Sequence, residues 1–261
     1  MHFHLPKPLH GWRAFVGEVG IIVVGVLIAL SAEQLVEWLH WRHQQHDVLE
    51  RLFQEARSDV AVLRNRRDFL ASTAQREADF ATALTSGSCP PDSEWTAVME
   101  VTKYPAVATE TSVYDEVVGA GGLAQISSPE ARETVSDFHS KLAWLESTTG
   151  FFRLKSSHPF QLDDPRVTIR YNPQSDDPEV TTFDRESLCR DRGFRNRVAD
   201  GVRNYVSWTK FHDPVLKSAI RMCATLGELV GKECTPLSGG PLKGVDLQAA
   251  DAALKDLRER H

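Results

Sequence analysis

Gly17-Glu18-Val19-Gly20-Ile21-Ile22-Val23-Val24-Gly25-Val26-Leu27-Ile28-Ala29-Leu30-Ser31-Ala32 decides how the rest of the chain is read. No charge falls between Val19 and Ala32. That core alone is shorter than the about 20 apolar residues a bilayer crossing needs. Phe15 and Val16 extend it on one side and Leu35, Val36 and Leu39 on the other, which places Glu18, Glu33 and Glu37 near the headgroups. Trp12 precedes the run, and Trp38 and Trp41 follow it. Trp12 and Trp38 lie roughly 39 Å apart on a helix rising about 1.5 Å per residue. That span matches a bilayer with the interfacial layers Trp prefers. The sequence therefore predicts a transmembrane anchor over residues 12–39, preceded by a short polar tail, 1–11, too short to fold.

A cleaved signal peptide is the competing reading. Lys7 and Arg13 give a basic start, and Ala29-Leu30-Ser31 gives a small-residue exit. The anchor is preferred, because Glu18 interrupts the apolar stretch and the helical pattern runs through the cleavage point into Leu35, Trp38 and Leu39.

Gly17-Glu18, six residues, Gly25, one residue, then Leu27-Ile28-Ala29-Leu30 resembles the N-terminal signature of a family of bacterial single-pass membrane proteins, a domain of unknown function. Ser112-Val-Tyr114-Asp-Glu-Val-Val-Gly-Ala-Gly121-Gly122-Leu123-Ala-Gln-Ile126 is similar to that family's internal block, a Tyr-bearing helix ending in Gly and then Leu-x-x-Ile. The resemblance implies a single-pass, helical protein and implies no activity.

Setting aside about 40 residues of the 261 for the tail and anchor leaves about 220, enough for one large domain or two small ones. A hydrophobic content of 41% and a charged content of 25% are those of a folded body. The net charge of −6 gives no electrostatic case for nucleic acid or for lying along an anionic leaflet. Four cysteines, Cys89, Cys189, Cys223 and Cys234, allow three disulfide pairings. No two form a C-x-x-C pair, so a zinc or thioredoxin-type site is unsupported. Cys223 and Cys234 meet only if their helix ends near Gly231 and the chain folds back, while Cys89, in a loop, suits a long-range partner. Four buried thiols are the alternative.

From Leu35 the pattern turns one-sided. Leu35, Leu39, Arg42, His46, Leu49, Phe53, Ala56, Val60, Leu63, Arg67, Leu70, Ala74, Glu77, Ala81 and Leu84 follow 4-3 spacing, and no Gly or Pro occurs between Gly25 and Gly87. This predicts one helix from the membrane to about residue 85, its seam packed on later helices of the same chain. Arg42, His46, Arg67 and Glu77 argue against a strict dimer seam. A short helix with Trp95, Val98 and Met99 inward follows the Thr85–Asp92 loop. Thr111 or Ser112 caps the Tyr114 helix, which Gly121-Gly122 stops. Ser128-Pro129 opens a helix to about Lys155 with Val135, Phe138, Leu142, Leu145 and Phe152 on one face. Residues 156–184 read as an irregular, Pro-rich excursion in which only Arg166–Tyr171 has strand character, with room for a small hairpin. Helix returns near Asp184 with Phe194, Val198, Val202 and Tyr205 inward, and Asp213-Pro214 kinks it or divides it from a second. The body is thus a helical bundle over 40–235, followed over 236–261 by a linker and a C-terminal amphipathic helix striped by Leu247, Ala250, Leu254 and Leu257.

Few residues point to chemistry. Arg190, Arg192, Arg195 and Arg197, with Arg166 and Arg170, are candidates for an anion pocket, against the plainer reading of a solvated face with local ion pairs. His43, His46 and Asp47, near His40, have helical spacing for a metal, against the plainer reading of an interfacial collar. Gly25, Ala29 and Ala32 form a small-residue ridge suited to helix packing in a membrane. Gly239-Gly240-Pro-Leu-Lys243-Gly244 lacks the order of a phosphate loop, there is no Gly-x-Ser-x-Gly or His-Glu-x-x-His, and His139, His158 and His212 are isolated. No catalytic residue or cofactor is indicated. The expectation is a membrane-anchored interaction or sensory-type module acting through a protein partner or a second copy. The runner-up is a membrane-tethered enzyme with a site near 156–197. Lys7 and Arg13 before the span are balanced by Arg42, Arg51 and Arg57 after it, so charge does not orient the chain. The cysteines do: they favour a body outside the inner membrane of a bacterium, where disulfides persist.

Overall fold

The computed structural model describes residues 12–156, 158–161, 163–174 and 179–260. The 1–11 tail with Lys7, the Asp177-Pro178 pair and the Glu18 side chain lie outside the described residues. The fold is mainly α, with a long N-terminal helix, a helical bundle and one irregular excursion, as the sequence predicts. Helix α1 runs from Trp12 to Thr85. The chain divides into two compact units, Met1–Val48 and Leu49–His261.

In the first unit every described side chain from Val19 to Gln44 is exposed. An 18-residue window there has a mean hydropathy of 2.3 and none of it is buried, so this helix is long and apolar enough to cross a membrane.

In the second unit α1 is one-sided. Phe53, Ala56, Val60, Leu63, Leu70, Ala81 and Leu84 of the 4-3 seam are buried, whereas Leu35, Leu39, Arg42 and His46 of the same seam are exposed. The buried face faces later parts of its own chain. Phe80, Ala81 and Leu84 pack with Trp95, Val98, Leu188, Phe194 and Val198, and Leu70 with Tyr104, Tyr205 and Trp208. Trp95 centres the first cluster: its ring stands edge-on to Phe80 at 5.4 Å and stacks on Phe194 at 5.9 Å, and its indole N–H donates to the Pro90 carbonyl. Burying that ring without the carbonyl partner would cost a hydrogen bond.

After a 3-10 turn at Asp92–Glu94 come the short α2 (Ala97–Glu100), then α3 (Ser112–Gly119) and α4 (Pro129–Lys155). Gly121 and Gly122 take φ of 134° and 88° after α3, which a side chain would resist. Ser128 caps α4 through the Ala131 N–H, with Pro129 in the first turn. The excursion contains a hairpin, β1 (Val167–Tyr171) antiparallel to β2 (Glu179–Phe183), with Val167 opposite Phe183. Sequence patterning locates β1 and leaves room for a small hairpin without placing β2, whose Thr-rich run has no clear alternation. Helices α5 (Arg185–Arg190), α6 (Arg192–Thr209), α7 (His212–Leu229) and α8 (Gly244–Arg260) complete the chain. Asp213-Pro214 occupies the first turn of α7 and so separates two helices rather than kinking one. Helix α7 is the most enclosed and lies against α4 and α8.

The stripe of α8 differs from expectation. Leu247 is exposed and Leu254 half-buried, while Asp246, Ala250, Ala253 and Leu257 face inward. The phase is set by an ion pair: Asp246 accepts two hydrogen bonds from Arg67 at 2.7 and 3.0 Å. The seam position Arg67 thus has its partner within the chain.

The end of α7 closes by a Schellman turn. Lys232 N–H donates to the Gly227 carbonyl and Gly231 N–H to the Glu228 carbonyl, with Gly231 at φ +71°. A Cβ at Gly227 would stand 2.5 Å from the Lys232 carbonyl oxygen, so glycine is required there. The reversal brings Cys223 and Cys234 to a Cα separation of 5.5 Å, and they form a disulfide. Cys89 pairs at long range with Cys189, at 5.6 Å. Of the three pairings the sequence allows, this is the one formed.

Candidate functional site

A cleft of about 870 Å³ lies in the 156–197 region. Its organising group is Arg166, which follows the Asp164-Pro165 turn. Its guanidinium donates to both oxygens of Asp164, at 2.8 and 2.7 Å, and to Asp191 Oδ2 at 2.8 Å. Asp191 is the N-cap of α6, and its other oxygen accepts the Gly193 N–H at 2.7 Å. Arg166 therefore ties the excursion to the start of α6. It holds the Asp164 carboxyl down to about 2 and lowers Asp191, and both carboxylates in turn raise Arg166.

The six arginines do not converge. Arg166 and Arg197 line the cleft, together with Asp163, Asp164 and Asp191. Arg197 donates through Nε to the Pro159 carbonyl. Arg190 pairs with Glu186 on the exposed face of α5. Arg170 and Arg192 are exposed, and the Nε of Arg195 is buried without an acceptor among the described residues. Two arginines set among three carboxylates make this cleft neutral to acidic, and of the six arginines Arg166 and Arg190 are held in ion pairs. Beside it, Cys89–Cys189 and an Arg185–Asp92 ion pair fasten α5 to the loop after α1.

His40, His43, His46 and Asp47 are exposed on α1. Among the described residues no three His, Cys, Asp or Glu side chains are placed to hold a metal ion. Gly25, Ala29 and Ala32 are exposed, and a methyl added at Gly25 would meet nothing within 4 Å. Gly239 and Gly240 present their carbonyls to Arg64, so that loop is clamped onto α1 rather than shaped for phosphate.

Sequence reasoning missed a set of buried ionisable groups on α1. Glu55, Asp59 and Glu77 are 3%, 0% and 1% exposed. Glu55 accepts the N–H groups of Val113 and Tyr114, at 2.8 and 3.4 Å, and so caps α3 from another helix. Thr111, at the N-cap, makes no such bond and donates instead to Asp115. Asp59 accepts the Glu110 N–H at 2.9 Å. Together the two acids, one turn apart, pin residues 110–114 to α1. Burial raises Glu55 and lifts Asp59 to about 8, against the lowering effect of those N–H donors. Burial likewise lifts Glu77 to about 8, helped by Glu100 and opposed by Arg76. Burial lowers His139, stacked on Tyr114, to about 4, and lowers His212, edge-on to Trp208. The available signal was the seam itself: Glu77 occupies a seam position, and Glu55 and Asp59 each precede one.

Compared with protein-family models, curated proteins and solved structures, the chain matches none.

Proposed function

We propose that this protein is a single-pass membrane-anchored module whose disulfide-stapled helical body stands outside the cytoplasm and acts through a protein partner or a second copy of itself. The observation that carries the reading is the apolar stretch of α1: an 18-residue window of mean hydropathy 2.3 with no part buried. A helix apolar on all sides and covered by nothing is suited to lipid rather than to water. Two disulfides support an oxidising compartment for the body. On the Gly17-Glu18 to Leu30 and Ser112 to Ile126 stretches we also propose membership of the bacterial family of unknown function that they resemble, and with it an inner-membrane location and a periplasmic body. The cleft beside Arg166 gives less support to a tethered enzyme. Its paired carboxylates Asp164 and Asp191 are held ionised, which does not suit proton transfer near neutrality.

The test is a pair of C-terminal fusions expressed in a bacterium, combined with alkaline carbonate extraction. The proposal expects an active alkaline phosphatase fusion, a dark fluorescent-protein fusion exported unfolded, and a chain that stays with the membrane pellet. A dead phosphatase with a bright fluorescent fusion would place the body in the cytoplasm, and release by carbonate would remove the anchor.

A further inference from the structure

Glu77 stands apart from the other buried acids. Glu55 and Asp59 each accept a backbone N–H, whereas neither oxygen of Glu77 has a hydrogen-bond partner among the described residues. A buried carboxyl group without hydrogen-bond partners is costly, and folded proteins keep few such groups. Glu77 lines a cavity of about 300 Å³ together with Thr73, Arg76, Thr96, Glu100 and Phe69. That volume is at the small end of ligand sites.

We propose that this cavity binds a small ligand through a primary ammonium group, which donates to the Glu77 carboxylate. The lining selects this chemistry. The lining carries two acids, Glu77 and Glu100, against one cation, Arg76, and so suits a cation better than an anion. A divalent metal needs more oxygen ligands than these two, and no three metal-binding side chains converge among the described residues. An ammonium group brings three N–H donors and one positive charge to the oxygens that lack partners. Phe69, half-exposed at the rim, offers a ring face to the cation or its stem. The oxygens are shielded in the empty site. Arg76, on the same lining, is exposed and donates to Thr73 at 3.3 Å, and the proposal requires side chains of the lining to rotate for a ligand to reach Glu77.

The charged and titratable groups around Glu77 are Arg76 from α1, Glu100 from α2 and the phenols of Tyr104 and Tyr205. Burial, with Glu100, keeps Glu77 protonated at pH 7 in the empty site. An arriving ammonium stabilises the carboxylate, so the Glu77 proton leaves to buffer and the ammonium keeps all of its own. The inference concerns the body alone and stands whether or not the apolar stretch of α1 is an anchor.

The experiment is titration calorimetry of the full chain in mild detergent at pH 7, repeated in two buffers of different ionisation enthalpy. The probes are n-butylammonium, L-alanine and, as the uncharged control, n-butanol. Binding of n-butylammonium or L-alanine with release of about one proton per ligand supports the proposal. An L-alanine affinity that falls in Arg76→Gln identifies an amino acid, whose carboxylate Arg76 takes; n-butylammonium alone identifies a simple amine. Glu77→Gln, nearly isosteric and checked for folding by its melting curve, should weaken binding at least about tenfold and abolish proton release. Glu100→Gln should weaken it several-fold. Failure of both ammonium probes to bind, or binding unchanged in Glu77→Gln, overturns the proposal.

Discussion

Between Val19 and Val36 the side chains of α1 are exposed although Glu33 is the one charge among them. Between Leu52 and Leu84 the same helix buries three carboxylates, Glu55, Asp59 and Glu77, beside Phe53, Val60 and Leu63. Burial along α1 is thus set by what the chain supplies to cover it rather than by how apolar a residue is. The first stretch is exposed throughout among the described residues and is long and apolar enough to cross a membrane. The second is covered by later helices, and its acids are there because they bind backbone N–H groups or face a cavity.

The largest expected effect separates the stapled body from the unstapled apolar stretch. Replacing Cys89 and Cys189 by Ser opens a loop of 100 residues, which the chain-entropy model values at about 4.7 kcal/mol. Opening the 11-residue Cys223–Cys234 loop should cost about 3 kcal/mol. Urea titration of both double mutants should keep that order, with membrane association unchanged in each. A reversed order would show that Cys223–Cys234 carries the fold.

Next comes a matched pair on one helix. Phe53→Ala, at 1% exposure, should cost about 3–5 kcal/mol in the same titration. Leu27→Ala, at 56% exposure, should leave the body's unfolding midpoint where it is. Equal losses from the two would mean that the apolar stretch packs on protein.

A smaller effect follows from the buried acids. Asp59 and Glu77 have ordinary values of 3.8 and 4.5 and titrate near 8 in the fold. Their contribution is therefore full below about pH 4 and is lost as pH rises through 8. His139 is depressed from 6.5 to about 4, so its contribution is full above 6.5 and is lost as pH falls through 4. Between roughly pH 5 and 6.5 the two kinds oppose each other, and above 6.5 the acids act alone. The melting temperature should fall by about 5 °C from pH 6.5 to 8.5. Asp59→Asn with Glu77→Gln should flatten that fall, and a slope unchanged in the double mutant would contradict the assignment. Of similar size is Asp246→Ala, which should cost about 1–3 kcal/mol by removing the Arg67 bonds.

Much of this architecture is legible in the sequence, because helices announce themselves by period and by breakers. The 4-3 seam from Phe53 to Leu84, the Ser128-Pro129 start and the Gly121-Gly122 stop all read correctly. The condition placed on Cys223 and Cys234, a helix ending near Gly231, is met by the turn that Gly227 and Gly231 allow. What did not read are features fixed by partners distant in sequence. The phase of α8 follows Arg67, some 180 residues upstream, so Leu247 turned outward. Strand β2 exists because β1 pairs with it. Arg166 reads as a cation until Asp191 is found beside it. Glu77 reads as a flaw in a seam until the cavity next to it is seen.

The most direct test of the account is the intact mass of the protein, taken from bacterial membranes, alkylated without reductant and denatured. An anchored chain with an exported body predicts a mass that retains residues 12–39 and carries no alkyl group. A mature N-terminus near Ala32 would contradict the anchor, and four alkyl groups would contradict the oxidised body.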